Sequence, residues 1–296
     1  MATIALKVDV DTLRGTREGV PKLIALLRAH DARATFLFSL GPDHTGWALR
    51  RVFRPGFLRK VSRTSVVSHY GLRTLMYGVL LPGPDIGLRA ADAMRAARDA
   101  GHECGIHTWD HVYWQDHVRS RDAEWTRAQM RRAWQRFEAV FGEPPSTHGA
   151  AGWQMNAEAF RQLDDWGLRY ASDGRGAEPY VPVLDGAPCR HVQLPTTLPT
   201  LDELIGADGI DEGNVHEALL ARTEDGRHHV FTLHAELEGG KLAPVFERLL
   251  QGWRRQGHRL APLAALYEQL DRARLPHWPL AWGTVPGRSG ELIVQR

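Results

Sequence analysis

Short apolar runs alternate with longer amphipathic stretches along most of the chain. Residues 4–10 are apolar and β-branched, as a buried strand should be. Residues 18–30 then read as a helix, with Val20, Leu23, Ile24, Leu26 and Leu27 apolar. Residues 34–40 give a second buried strand, and the order β-α-β implies a parallel sheet. A helix over 85–100 stops at Gly101, and a third short strand covers 103–107. Ala123–Phe141 is a long amphipathic helix carrying Trp125, Met130, Trp134, Phe137 and Phe141; Gly142 and Pro144-Pro145 close it. The alternation continues with helix 157–166, strands 168–172 and 190–194, helix 215–223, strand His229–His234, helix 242–256 and strand Arg259–Ala261. About seven or eight strands interleaved with helices predict an α/β barrel over residues 1–270. The tail, 271–296, is rich in Pro, Gly and Trp and is expected to be irregular.

One stretch breaks this rhythm. Residues 43–84 carry Arg50, Arg51, Arg54, Arg59, Lys60, Arg63 and Arg73, and no acidic residue falls between 44 and 84. Trp47, Phe53, Phe57, Leu72, Leu75 and Leu80 are interleaved with them. Basic charge among large apolar side chains is the composition of an interfacial membrane element. Anionic lipid attracts each nearby Lys or Arg by about 1 kcal/mol. The expectation is an insert that docks on the anionic inner-membrane surface, with Arg50, Arg51, Arg54, Arg59, Lys60 and Arg63 meeting lipid phosphate. An insert that only covers a barrel end, its apolar residues packed inward, has the same composition. A nucleic-acid contact fits less well.

Composition narrows the classes. With 296 residues the chain can bury a full core. A net charge of +2 gives no whole-molecule case for nucleic-acid binding. Cys104 and Cys189 are not closely spaced, which speaks against a disulfide framework and for a reducing compartment. Lys7 and Asp9 interrupt the N-terminal apolar run too early for a secretory signal. No apolar run approaches the roughly 20 residues that span a bilayer. A cytoplasmic protein, peripheral on the cytoplasmic face of the inner membrane, is expected. Fifteen histidines make histidine ligation worth pursuing.

Three features carry candidate chemistry. Asp9 and Asp11 are alternate residues at the end of the first strand, so both carboxylates emerge on one face. In α/β barrels that rim is where catalytic groups gather. His107 and His111, four apart after the third strand, can face one ion. His234 ends the strand Val230-Phe231-Thr232-Leu233. Alone, the first reads equally as a turn cap, the second as two surface histidines and the third as a core histidine. All three lie at rim positions of one predicted barrel.

Taken in order, these segments resemble the polysaccharide deacetylase family, the nodulation-type chitooligosaccharide deacetylases. Residues 101–111 resemble its second motif, Asp9-Val10-Asp11 its first and Phe231-Thr232-Leu233-His234 its fifth. The resemblance covers most of residues 4–263. It implies a distorted (β/α)7 barrel, with the 43–84 insert between the second and third strands, and a metal-dependent hydrolase of a sugar amide. By this resemblance Asp11, His107 and His111 hold one divalent metal. Zinc is favoured, and manganese, cobalt or iron also suit two His and one carboxylate. Asp9 is then the general base, and His234 the general acid for the departing amine. Asp173 is expected to orient His234. The backbone N–H of Ala151 is expected to meet the oxyanion. Trp153 either lines the sugar pocket or packs inside, and Glu236 either touches the substrate amine or is a strand-end surface charge, with the former favoured for Glu236.

Residues 8–16, 150–153, 172–176 and 232–236 resemble a narrower branch of that family. It removes a formyl group from a 4-amino-arabinose carried on undecaprenyl phosphate, a step toward aminoarabinose-modified lipid A and polymyxin resistance. An undecaprenyl-phosphate-linked sugar is the substrate this implies. The third motif departs from the family pattern. There the family has RxPxG, its Arg beside the base, whereas this chain reads His148-Gly149-Ala150-Ala151-Gly152. Arg14, Arg175 and His148 are candidates for the missing charge. Two rival readings remain: an N-deacetylase of another glycan, and a non-catalytic carrier of lipid phosphate. The altered third motif and the insert count against the former. The intact Asp9, Asp11, His107, His111 and His234 count against the latter.

Overall fold

The computed structural model of the chain describes residues 2–48 and 71–295. Strand β1 (Thr3–Val10) is buried along its whole length, which accounts for its almost unbroken apolar sequence. Helix α1 (Val20–Ala29) returns the chain to β2 (Thr35–Ser39). The two strands pair in parallel, from Lys7 opposite Thr35 to Val10 opposite Phe38. Helix α2 (Ala91–Asp99) leads to β3 (Glu103–Thr108), parallel to β2.

Beyond β3 the pairing thins. Ile106 bridges His148, and the Gly149 N–H donates to Ile106 O at 2.9 Å. The Ser172 N–H donates to His148 O at 2.8 Å. Strand β4 (Tyr170–Ala171) runs parallel to β5 (Val192–Gln193). The Thr197 N–H then reaches Val230 O at 3.1 Å, on β6 (His229–His234). Strand β6 lies beside β1, from Ile4 opposite His229 to Asp9 opposite His234. Strand β7 (Arg259–Ala261) pairs with Thr3 to Ala5 of β1. Continuous pairing is thus a five-stranded parallel sheet. The remaining arc of the expected barrel consists of two-residue strands and single hydrogen bonds.

Alternation along β1 decides what faces what. Leu6, Val8 and Val10 enter the main core with Leu23 and Leu27 of α1 and Phe36 and Phe38 of β2. Phe137 and Phe141 of Ala123–Phe141 join it, as do Phe246, Leu249 and Trp253 of Ala243–Arg255. Each such side chain stabilises the fold by roughly 1.5–3 kcal/mol relative to exposure. Lys7 and Asp9 therefore point the other way, into the arc.

Several elements differ from the sequence expectation. A wider helical turn, Gly15–Gly19, precedes α1. The helix expected over 85–100 breaks at Ala90, whose φ of −133° and ψ of 18° end Ile86–Arg89 before Ala91–Asp99 begins. The tail is ordered rather than irregular. Ala281–Gly283 pairs antiparallel with Leu292–Val294, and His277–Pro279 lies parallel to Val181–Leu184. The Arg175 N–H donates to Ile293 O at 2.9 Å, and the Gln295 N–H to Arg175 O at 2.8 Å. Strands of three residues are too short to show a period, so the sequence read as formless.

The insert leaves and returns at one point, where Pro42 bridges Asp85 and the Asp43 N–H donates to Pro84 O at 2.9 Å. Within its described part Leu72, Val79 and Leu80 are 66%, 51% and 76% exposed. Arg50, Arg51, Arg54, Arg59, Lys60 and Arg63 lie outside the described residues. Among the described residues no helix is long and apolar enough to cross a membrane.

Candidate active site

Asp9 stands near the C-terminal end of β1 and Asp11 just past it. His107 is on β3, and His111 opens helix α3 (His111–His117). Asp110 fixes that opening turn. Its Oδ1 accepts the Tyr113 N–H at 3.1 Å as a helix cap, and its Oδ2 lies 2.6 Å from His44 Nδ1.

Three potential ligands converge. Asp11 Oδ1 is 3.2 Å from His107 Nε2, and Oδ2 is 3.4 Å from His111 Nε2. The three ligand atoms lie within 4.8 Å of one another. His107 Nδ1 is 2.6 Å from Gly149 O. A carbonyl only accepts, so Nδ1 donates there and Nε2 is the nitrogen turned toward Asp11, free to take a proton or a metal. Asp11 Oδ1 is buried without a hydrogen-bond partner. Lone pairs facing one another in a buried site call for a cation between them. The set of two imidazoles and one carboxylate, with one imidazole held from behind, fits a divalent metal. Burial alone would raise the Asp11 carboxyl. With the imidazoles protonated in place of an ion, the charges of His111 and His107 overcome it and hold the group well below the usual carboxylate range.

A second group, Asp164, Cys189 and His191, is equally close-set. There Asp164 accepts the Arg190 N–H, the His191 N–H and His191 Nδ1 at 2.6–3.1 Å, so it already serves as a loop clamp.

Asp9 lies beside the first group. Its Oδ1 is buried without a hydrogen-bond partner, 3.9 Å from His107 Nδ1 and 3.7 Å from Lys7 Nζ. Lys7 is fully buried, and its ammonium donates to Ser172 O at 2.9 Å. Burial lowers the Lys7 pKa, while the charges of Asp9 and Asp173 act against that. Sequence reasoning missed Lys7. The two-residue strand period that joined Asp9 to Asp11 could have found it.

The other candidates for the missing charge are paired elsewhere. His148 Nδ1 is 2.6 Å from Asp173 Oδ1. Arg175 Nη1 donates to Glu203 Oε1 at 2.6 Å. Arg14, half-exposed, pairs with Glu18 at 3.0 Å. Asp173 does not orient His234. Its Oδ2 takes the Gln193 side-chain amide at 2.7 Å, while His234 Nδ1 is buried without a partner. Burial raises the Asp173 carboxyl, and the His148 charge and hydrogen bond bring it below its ordinary value.

His234 is the register partner of Asp9, and its N–H donates to Glu238 Oε2 at 2.8 Å. Glu236 is engaged by the turn after β1. Its Oε1 accepts the Asp11 N–H at 3.1 Å, the Thr12 N–H at 2.8 Å and the Thr12 hydroxyl at 2.7 Å, tying the turn that carries Asp11. Burial and then the Asp11 charge push Glu236 up to about 8, and burial pushes Glu238 to about 7. Ala151 opens the buried turn Ala151–Trp153. Trp153 is only 2% exposed, its indole N–H donates to Thr196 Oγ1 at 3.1 Å, and its φ is +54°. Lys7, Arg175 and Arg288 lie 5.6, 5.0 and 4.7 Å from its ring centre. The ring is a wall behind the site rather than an open sugar platform.

Known proteins resemble this chain in sequence and in fold. The polysaccharide deacetylase family model matches residues 2–171. A protein of Shewanella sediminis named "Probable 4-deoxy-4-formamido-L-arabinose-phosphoundecaprenol deformylase" is 38% identical, covering 94% of this chain and 88% of its own. One of the same name from Wigglesworthia glossinidia brevipalpis is 30% identical, covering 95% and 98%. Among solved structures, a "putative polysaccharide deacetylase from Mycobacterium smegmatis" superposes with a TM-score of 0.63 at 17% identity, covering 96% of both chains. The chain belongs to the polysaccharide deacetylase family.

Proposed function

We propose that the chain is a metal-dependent amidohydrolase. Its substrate is 4-deoxy-4-formamido-L-arabinose linked to undecaprenyl phosphate, and its products are formate and the free 4-amino sugar lipid. The observation that supports this reading most is the Asp11–His107–His111 group with Asp9 and His234 beside it. Relatives matched over most of both chains bear the deformylase name.

Asp11, His107 and His111 would hold the metal, with zinc first among divalent ions. A metal there would polarise the formamide carbonyl and make a water more acidic. Asp9 takes the proton from the attacking water as general base. His234 gives a proton to the sugar nitrogen as the C–N bond breaks, because an amine leaves poorly as an anion. The Ala151 N–H is assigned to the carbonyl oxygen as charge builds on it. Holding the amide between these groups supplies much of the rate.

The catalytic unit is assigned to residues 1–270. The insert, 43–84, would dock on the cytoplasmic face of the inner membrane through Arg50, Arg51, Arg54, Arg59, Lys60 and Arg63, with exposed Leu72, Val79 and Leu80 entering the headgroup layer. The reaction then serves lipid A modification and polymyxin resistance.

Formate release by purified protein tests this, with and without chelator, beside the N-acetyl analogue. Chelator-sensitive formate release with little acetate is expected. Acetate without formate would overturn the substrate. Neither product from metal-loaded protein would overturn the enzyme reading. Glu substitution of the six basic residues should abolish flotation with anionic vesicles; retained flotation sinks the membrane assignment.

A further inference from the structure

We infer that Lys7 is the positioning cation of Asp9, facing its carboxylate with a charge and holding it aimed while leaving its lone pairs open to accept a proton. This rests on the hydrolysis proposed above and concerns a residue that no motif of the site includes.

A buried carboxylate oxygen without a hydrogen-bond donor is costly unless a counter-charge faces it. Asp9 Oδ1 is such an atom, and Lys7 Nζ stands 3.7 Å away. That separation is too long for a direct hydrogen bond. The ammonium therefore supplies charge without occupying the lone pair that a general base needs.

The lysine is itself held in place. Its ammonium donates to Ser172 O at 2.9 Å and lies 5.6 Å from the Trp153 ring centre. Its stem passes beneath Gly149, where an added Cβ would come within 2.3 Å of Leu37 Cδ1 and 3.0 Å of Lys7 Cε. Gly149 is also the residue whose carbonyl holds His107. One point of backbone thus sets both the metal-ligand imidazole and the cation behind the base.

The neighbouring cations are committed elsewhere. Arg175 and Arg288 both meet Glu203 Oε1 at 2.6 Å, and His148 meets Asp173. The ion pairs of Asp9 among the described residues are those with Lys7 and His107. His107 Nδ1 is already given to Gly149 O. Among the described residues Lys7 is thus the Lys or Arg cation that faces the base.

The test compares wild type, Lys7→Gln, Lys7→Arg, Asp9→Asn and Lys7→Gln/Asp9→Asn in formate release, metal content and thermal unfolding. Gln keeps a donor for Ser172 O and removes the charge. Lys7→Gln should bind metal as wild type does and lose about 100-fold in kcat with little change in KM. Lys7→Arg should recover to within about tenfold of wild type. The double variant should be no slower than Asp9→Asn, because a cation acting through Asp9 has nothing left to act on. Full activity in Lys7→Gln overturns the inference, as does a double variant whose losses multiply. If Lys7→Gln does not fold, folded and metal-loaded Lys7→Arg decides: activity near wild type supports the inference and its loss overturns it. An inactive, metal-loaded wild type instead overturns the underlying hydrolase reading.

Discussion

Asp9 and His234 are register partners on adjacent parallel strands, β1 and β6. The proposed base and acid thus stand on one rung of a buried ladder, so their spacing is set by backbone pairing rather than by loops. Asp9→Asn should keep metal and fold while lowering kcat by about 10²–10⁴. His234→Ala should fall in the same range, and the double variant should lose less than the product of the two. Formate release at saturating substrate, read beside metal content, checks this. Near-normal kcat in Asp9→Asn would remove the base from its role.

The ligand set predicts a second behaviour. Asp11 Oδ1 is buried and without a hydrogen-bond partner, and His107 is fixed through Gly149 O. Wild type should therefore unfold at a higher temperature with divalent metal than with chelator. At a hundredfold excess over Kd the gain is about 2.7 kcal/mol. His107→Ala should lose both the bound ion and this shift. A variant that still shows the metal-dependent shift would place the ion elsewhere.

Much of the site was legible because its residues obey local periods. Asp9 and Asp11 are alternate residues at the end of β1, and His107 and His111 lie four apart at a strand-to-helix turn. What sequence could not supply was pairing across space. Asp173 was assigned to His234, but His148 comes closer because its bridge to Ile106 brings it beside Asp173. Lys7 was passed over because a lysine in an apolar strand reads as a flaw in the pattern, not as a buried ion. Glu236 read as a rim group, yet its bonds run back to Asp11 and Thr12, residues over two hundred positions away. In the fold, β1, β2 and β6 were long enough to carry a pattern. The tail strands and the arc through β4 and β5 were not, since they owe their place to neighbours.

The buried His148–Asp173 pair gives a stability prediction. Asp173 is fully buried and held by His148 and Gln193. His148→Leu leaves that carboxylate without its main partner, which should cost about 3 kcal/mol or more. Asp173→Asn/His148→Leu should recover part of the loss, since the unpaired charge is then gone. Chemical denaturation of the three proteins decides it. Equal stability of the single variant and wild type would show that the pair contributes little.

Glu238 predicts how stability responds to pH. Burial raises its folded pKa to about 7 from an ordinary value of 4.5, while the His234 charge and N–H act in the opposite direction. Below about pH 4.5 the folded and unfolded chains both hold the proton, and this group's contribution is fully present. As pH rises toward 7 the unfolded chain releases a proton that the fold retains, so the contribution is progressively lost. The loss is on the order of 3 kcal/mol by neutral pH. Glu238→Gln cannot titrate and still offers an oxygen to the His234 N–H. Its unfolding free energy should therefore fall less between pH 5 and 7 than that of wild type, with the two curves meeting at the acid end. Parallel curves over that range would mean that Glu238 is ionised in the fold and its raised pKa is absent.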